Sequence, residues 1–247
     1  MSDRNDITVL IPSSVIPSHP STHVLDWTIG SVRSQLFKAP IIVMLDGVRP
    51  EQEARKEAYE EFKRRLIFPL LPSEVGSVRK AEFSTFHHQA AMMRETLQQV
   101  TTPLILFIEQ DWLLLEPIPW DAMAKTILDR DADLIRLHQT AGIHHDHEYL
   151  FAEKVVLNGI PLKRQRHFWA QPHIAHVDWY RKQMENFTAS ARTFLEDRLY
   201  GLYWNTPDRI YTYAPEGSIK RVAHTDGREK NPDGTPLVSK FEDKLVF

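Results

Sequence analysis

Short, strongly apolar runs alternate with helix-like segments along the first half of this 247-residue chain, and this alternation limits the folds available to it. The candidate strands are Ile7–Ile11, Ile41–Leu45, Phe68–Leu71, Pro103–Ile108 and Asp133–Leu137. The segments with helical periodicity are Val24–Leu36, Glu51–Leu66, Phe83–Val100 and Trp120–Leu128. Because strands that alternate with helices form parallel sheets covered on both faces, the first roughly 135 residues predict a Rossmann-like, mostly parallel α/β sheet flanked by helices.

The pattern changes in the second half of the chain. Asn158-Gly159 lies between two short runs and predicts a β-hairpin. Asp178–Asn186 and Ala189–Tyr203 have helical periodicity. From Thr206 onward the chain is rich in Pro, Gly and Asp, so we expect this segment to wrap over the sheet. No true domain boundary is evident, and we predict one domain over residues 1–247.

Composition excludes several classes of protein. Cysteine is absent, so no disulfide framework, thiolate metal site or cysteine nucleophile is possible. The formal net charge of −3 gives no general attraction to nucleic acid or to an anionic membrane. The polar N-terminus, Met1–Asp6, lacks the apolar core of a signal peptide, and no apolar run is long enough to span a bilayer. We therefore expect a soluble, cytoplasmic protein without membrane insertion.

Acidic residues follow two of the predicted strands. Asp46 comes directly after the second strand, and Glu109 and Asp111 follow Pro103–Ile108. Ligands of open α/β sheets bind beyond the carboxyl ends of the strands. Carboxylates at positions i and i+2 face the same side if the backbone stays extended, and a divalent cation would relieve their repulsion. Oxygen ligands suit Mg²⁺ or Mn²⁺; for Asp46-Gly47 a plain turn is the alternative.

The sequence contains no GxxxxGK[ST] loop and no GxGxxG motif. Neither a P-loop nor a dinucleotide-binding fingerprint is therefore available to hold phosphate. A ligand that carries phosphate would need a metal to neutralise its charge. A diphosphate leaving group held by a carboxylate-bound cation is the simplest chemistry that uses these residues.

Five segments occur in an order that resembles the family 2 glycosyltransferases of the GT-A type. They are ITVLIPSSVIP, LDWTIGSVRSQL, IIVMLDG, LILFIEQDW and FLEDRLYG, and they extend from residue 7 to residue 201. The resemblance implies a GT-A fold and metal-dependent transfer of a sugar from a nucleotide-diphosphate sugar, with a UDP-sugar as the expected donor. It also implies a nucleotide-sugar-binding half over residues 1–140, and an acceptor-side half with a C-terminal closing segment over residues 141–247.

The resemblance also implies roles for residues near the donor. Pro12 and Ser13 match backbone positions near the donor base, and Asp46 matches an acidic residue that contacts the nucleoside. The segment Glu109 to Asp111 matches the Asp-x-Asp motif, whose last acid binds the metal. Glu in the first position departs from that motif, which makes Asp111 the more secure metal ligand of the two.

Further roles implied by the resemblance lie in the second half of the chain. Glu196-Asp197 matches an acidic pair that supplies the catalytic base of inverting members, with Asp197 as the expected base; a solvated helix face is the alternative. His224 matches a late histidine that completes the metal shell, unless it is a packed loop residue. The expected acceptor contacts are Trp169, Gln171 and His173. For Trp169, packing in the core is the alternative.

The expected acceptor is a hydroxyl group, and the resemblance allows several sources for it. These are a saccharide or lipid-linked glycan, a protein side chain, and a hydroxymethylated base in DNA. Short soluble members that resemble this chain include phage proteins, so a phage origin and the host cytoplasm are further expectations.

Two other classes of function remain open. One is a sugar-nucleotide-binding protein without catalytic activity. The other is a nucleotidyltransferase, which also uses carboxylates and Mg²⁺ on a Rossmann-like sheet. A nucleotidyltransferase normally carries a glycine-rich, basic loop after its first strand, whereas IPSSVIPSHPST contains no Gly, Lys or Arg.

Each of four groups of charged or titratable residues has two alternative interpretations, one functional and one structural. His144–His147 would form a metal cluster or a solvated loop, and His87-His88 a donor contact or a helix cap. Arg79 and Lys80 would neutralise phosphate or lie on a solvated surface. Lys163–Arg166 would meet a polyanionic acceptor or form a charged hairpin arm.

Overall fold

The computed structural model describes residues 3–68, 72, 74–138, 145–185, 194–199, 208–213, 215 and 221–225. Its strands are β1 Ile7–Ser13, β2 Ile41–Leu45, β3 Val78–Glu82, β4 Leu104–Phe107, β5 Trp112–Leu114, β6 Leu134–Leu137, β7 Phe151–Leu157, β8 Ile160–Gln165, β9 His173–His176, β10 Ile210–Tyr213 and β11 Val222–His224. Its α-helices are α1 His23–Arg33, α2 Lys56–Arg65, α3 His88–Leu97, α4 Trp120–Leu128, α5 Val177–Glu185 and α6 Leu195–Leu199. Short 3-10 helices occupy Pro50–Arg55 and His145–Leu150.

Nine of these strands form one sheet, in the order β3-β2-β1-β4-β9-β6-β10-β8-β7. Strands β3, β2, β1 and β4 are parallel, and β6 and β10 form a further parallel pair. Within the described sheet, only β8 and β9 run against the other strands. The prediction of a mostly parallel sheet is therefore confirmed. The remaining strands, β5 and β11, form a separate antiparallel pair.

The central strands supply a hydrophobic core to each face of the sheet. In β1, Val9 and Ile11 pack into one core with α1, α2 and α4, whereas Leu10 packs into the other with α3, α5 and α6. All seven residues of β1 are buried, as expected for a strand covered on both faces. Helices therefore flank both faces, as the sequence predicts. Among the described residues, no helix combines the length and apolar composition needed to cross a bilayer.

The hairpin predicted at Asn158-Gly159 joins β7 to β8. Asn158 has a φ of 46° and Gly159 a φ of 79°. A two-residue turn of type I′ requires positive φ at both central positions, which Asn and Gly adopt at low cost. The hairpin prediction is confirmed.

The third strand differs from the prediction. It is β3, Val78–Glu82, at the edge of the sheet, whereas Phe68 lies outside any strand and residues 69–71 lie outside the described part of the chain. Of the five residues in β3 only Ala81 is buried. An edge strand with charged side chains lacks the apolar signal of a central strand, and this explains the wrong assignment.

The C-terminal segment does more than wrap over the sheet. Strand β10 lies within the sheet between β6 and β8, so the expectation for residues from Thr206 onward is wrong for Ile210–Tyr213. Strand β9 was likewise not predicted, although it lies between β4 and β6. Four-residue strands that contain His, Thr or Tyr are too short for periodicity to reveal. The predicted division at residue 140 falls outside the described residues.

Candidate active site

The turn after β4 brings together the acidic residues predicted as metal ligands. The Trp112 N–H donates to the Glu109 carbonyl at 3.1 Å, so the backbone makes a turn here instead of staying extended. Three side chains each place one possible metal-ligating atom within 4.8 Å of the other two; they belong to Glu109, Asp111 and His224. His224 Nε2 is 3.2 Å from Asp111 Oδ2. The three side chains form a group of two carboxylates and one imidazole that suits Mn²⁺ or Mg²⁺.

His224 reaches this turn through the pairing of β11 with β5. In this register His224 lies opposite Trp112, and their ring centroids are 4.9 Å apart. Thr225 then donates to the Asp111 carbonyl from its backbone N–H at 2.6 Å and from its hydroxyl at 2.9 Å. The backbone of the C-terminal segment is thus bonded to the same turn that carries the acids.

Glu109 lies in an environment that disfavours its ionised form. Burial, and then the neighbouring charge of Asp111, raise the pKa of the Glu109 carboxyl to about 7. Gln89 Nε2 donates to this carboxyl group and partly opposes the shift. A divalent cation beside Glu109 and Asp111 would offset both the burial and the repulsion. The donor set therefore fits a metal.

Gln110, between the two acids, ties the metal turn to the end of β1. Its side chain is buried, accepts from the Ser13 hydroxyl at 2.6 Å and donates to the Ser14 carbonyl at 3.0 Å. The Thr28 hydroxyl donates to the Gln110 carbonyl at 2.6 Å. The Ser13 hydroxyl is therefore engaged inside the protein, although Pro12 and Ser13 both line the cavity described below. Gln110 was not among the predicted site residues, because the only signal for it in the sequence is its position between two acids.

Asp46 connects the end of β2 to the start of α3. Its carboxylate accepts from the backbone N–H groups of Gly47 at 2.8 Å, His87 at 2.7 Å and His88 at 2.9 Å. Only glycine fits after it, because a Cβ on residue 47 would lie 2.2 Å from the Thr85 carbonyl carbon. Burial raises the pKa of Asp46, and the three hydrogen bonds oppose that rise. Asp46 thus binds the first backbone N–H groups of helix α3. Its role therefore extends beyond forming a turn with Gly47, which was the alternative interpretation.

We expect Asp46→Asn to lower the free energy of unfolding by about 1–3 kcal/mol, because the amide would turn a donor toward the buried His88 N–H. Asp129→Asn is the matched control, since Asp129 is 42% exposed in an i,i+4 ion pair, and its cost should stay within about 0.5 kcal/mol. Urea denaturation measures both. Equal stabilities of the two variants would contradict the capping role.

Two of the residues predicted on the acceptor side reach the same cavity. Glu196 and Gln171 both line it. Glu196 Oε1 accepts from the Ala170 N–H at 2.8 Å. Gln171 Oε1 is buried without a hydrogen bond from the described residues. The side chain of Asp197 lies outside the described part of the structure.

Trp169 and His173 lie elsewhere. The Trp169 ring stacks on the Arg136 guanidinium at 4.1 Å. His173 is fully buried, with Nδ1 2.7 Å from the Gln171 carbonyl and Nε2 against the Tyr180 hydroxyl. Burial lowers the pKa of His173 to about 4, so the ring is neutral. Neither ring is among the described residues that line the cavity; His173 is buried and Trp169 is half-buried.

The remaining charged groups are dispersed. Arg79 and Lys80 lie on the edge strand β3, and Lys163–Arg166 belongs to β8 and the residue after it. His88 lines the cavity, and His87 occupies the N-cap position of α3 without a side-chain cap bond, its backbone N–H donating to Asp46. The side chains of the His144–His147 cluster lie outside the described residues.

The cavity that these residues share has a volume of about 670 Å³, within the range of small-molecule sites. It lies at the carboxyl ends of β1, β2 and β4. The described residues that line it include four carboxylates and a single basic side chain of the Lys or Arg type. The carboxylates belong to Asp46, Glu109, Asp111 and Glu196, and the cation to Arg49.

This combination defines a class of α/β protein that binds its ligand at the carboxyl edge of a parallel sheet, with acids able to hold a divalent cation. Solved structures identify the fold. TarS 1–349 from S. aureus is similar over 85% of this chain and 58% of its own, with a TM-score of 0.53 and 16% identity. GalNAc-T7 is similar over 88% of this chain and 43% of its own, with a TM-score of 0.54 and 10% identity.

Both neighbours are glycosyltransferases of the GT-A fold, so the fold of this chain is GT-A, as the sequence predicts. TarS has been solved with UDP and with UDP-GlcNAc, and GalNAc-T7 with UDP, GalNAc and Mn²⁺. The chain spans less than three fifths of the length of either neighbour. No protein-family model matches the sequence, and no curated protein matches it.

Proposed function

We propose that this protein is a metal-dependent glycosyltransferase that moves a sugar from a nucleotide-diphosphate sugar, with a UDP-sugar as the expected donor, to an acceptor hydroxyl. The observation that carries the proposal is the cluster of Glu109, Asp111 and His224 in the wall of a cavity at the carboxyl edge of the sheet. The fold supports it, because GT-A neighbours bind such donors.

The metal cluster would hold the diphosphate end of the donor. A cation bound by Asp111, His224 and Glu109 would neutralise the diphosphate as it leaves. With Mn²⁺ or Mg²⁺ in place, the fixed carboxylates would no longer repel the donor. The nucleoside would extend toward Pro12, Ser13 and Asp46, which line the same cavity.

The acidic pair Glu196-Asp197 would supply the base, and Glu196, which lines the cavity, is a candidate beside Asp197. One oxygen of Glu196 accepts from the Ala170 N–H, which leaves the other to take a proton from the acceptor hydroxyl. The hydroxyl oxygen forms a bond to the anomeric carbon while the bond from that carbon to the diphosphate breaks. Attack opposite the leaving diphosphate would invert the configuration. Asp197 is the competing base, implied by the family resemblance.

Thermal unfolding with nucleotides tests donor binding directly. A donor present at 100 times its Kd stabilises the folded state by about 2.7 kcal/mol, which raises the melting temperature of a chain of this size by roughly 5–10 °C. We expect this rise with UDP or UDP-sugars only when Mn²⁺ or Mg²⁺ is present. No rise with any nucleotide, with or without metal, would overturn the proposal.

Product analysis distinguishes an enzyme from a binding protein. Transfer to water or to a simple acceptor should release UDP, and NMR of the product should show the inverted anomer. A metal-dependent melting shift without any turnover would support a non-catalytic sugar-nucleotide-binding protein instead. A retained anomeric configuration would remove the role given to Glu196 or Asp197.

A further inference from the structure

Arg49 is the only Lys or Arg among the described residues that line the cavity. Its half-buried side chain shares the cavity with four carboxylates, yet it forms no ion pair with any described carboxylate. Asp46, three residues away, uses its carboxylate on backbone N–H groups instead. The guanidinium is therefore available to a ligand.

Aromatic rings hold this guanidinium in place. The Arg49 Cζ lies 4.9 Å from the centre of the Phe86 ring and 5.4 Å from that of Phe194. Its Nη2 is 3.3 Å from His88 Nε2. His88 has a φ of 67°, a conformation that costs energy for a residue with a side chain and is found at ligand sites. Contacts of this kind orient the planar guanidinium before a ligand arrives.

The position of Arg49 in the sheet points to the nucleoside end of a donor. Arg49 lies in the loop after β2, whereas the metal turn follows β4, and β1 lies between these strands. Two strand spacings separate the two loops by about 10 Å. A nucleoside diphosphate whose diphosphate lies at Asp111 would cross the end of β1 and bring its base toward Arg49.

We propose that Arg49 reads the nucleobase of the donor and selects bases with a carbonyl at pyrimidine C4 or purine C6 over bases with an amino group at that position. A guanidinium has only donors. Uracil and guanine present a carbonyl oxygen where cytosine and adenine present an amino donor. Arg49 would donate a hydrogen bond to the carbonyl oxygen of uracil or guanine. In cytosine or adenine it would face an amino group, which is itself a donor. This inference rests on the proposed function, since it assumes a nucleotide donor.

Pairs of nucleotides of equal size provide the test. We expect the wild-type protein with Mn²⁺ to bind UDP at least about tenfold more tightly than CDP, or GDP more tightly than ADP, as measured by calorimetry. Arg49→Met should weaken binding of the carbonyl-bearing nucleotide to the level of its amino partner. Arg49→Lys, which keeps a charge and a donor, should lie between the two.

Arg55→Met is the matched control, because it removes the same charge from an exposed residue of the adjoining 3-10 helix that does not line the cavity. It should leave the preference unchanged. Equal binding of both members of each pair by the wild-type protein, or an unchanged preference in Arg49→Met, would overturn the inference while the proposed function stands. If no nucleotide binds with or without Mn²⁺, the proposed function fails and the inference fails with it.

Discussion

Asp111→Asn is expected to reduce sugar transfer by about 100-fold or more and to remove the metal-dependent rise in melting temperature. Asp111 Oδ2 lies 3.2 Å from His224 Nε2 in the three-residue cluster. Asparagine has the same shape but no charge. The hydrogen bonds from Thr225 go to the Asp111 backbone carbonyl, so the variant keeps them and should fold.

Initial rates of transfer at several Mn²⁺ concentrations, together with melting curves, would measure this effect. Asp178→Asn is the control, since Asp178 is 59% exposed and pairs with surface arginines outside the cavity. It should change neither the rate nor the response to metal. If Asp111→Asn keeps a metal-dependent melting shift and wild-type rates, the metal site assigned to this turn is wrong.

The electrostatics of the cavity explain why the metal should matter this much. Four carboxylates face one arginine among the described lining residues, so a diphosphate would enter a region of like charge. Unit charges that approach within a few ångströms in a partly buried site repel by several kcal/mol. A divalent cation held by Asp111, Glu109 and His224 would offset this negative charge where the diphosphate would lie.

The parts of the site that follow from local pattern could be predicted from the sequence. The buried runs of β1, β2 and β4 are continuous and apolar, so their carboxyl ends, and the acids just after them, could be located. The proximity of Glu109 and Asp111 was also expected, although a turn brings them together and not an extended backbone.

The parts that depend on tertiary pairing could not be derived from local pattern. His224 meets Asp111 because the three residues of β11 pair with β5, and so short a strand leaves no periodic signal; only the family resemblance suggested it. The family resemblance assigned His173 to the acceptor, whereas His173 begins a buried central strand and its Nε2 contacts the Tyr180 hydroxyl. A polar residue that is satisfied inside the core cannot be told from an exposed one by its sequence context.

Glu196→Gln is expected to lower kcat by about 10²–10⁴-fold while the affinity for the donor stays unchanged. Glutamine can still accept from the Ala170 N–H through its carbonyl oxygen, so the contact that positions residue 196 survives. It cannot take a proton from the acceptor hydroxyl. The loss should therefore fall on kcat, and the melting shift with UDP and Mn²⁺ should match that of the wild-type protein.

Asp197→Asn is the paired comparison, because it makes the same change one residue further along α6. If Glu196 is the base, this variant should keep kcat within a few-fold of the wild-type value. The reverse result, with turnover lost in Asp197→Asn and kept in Glu196→Gln, would give the role of base to Asp197 and leave Glu196 to position the Ala170 backbone. Full turnover in both variants would exclude the acidic pair from catalysis, even if donor binding and its metal dependence persist.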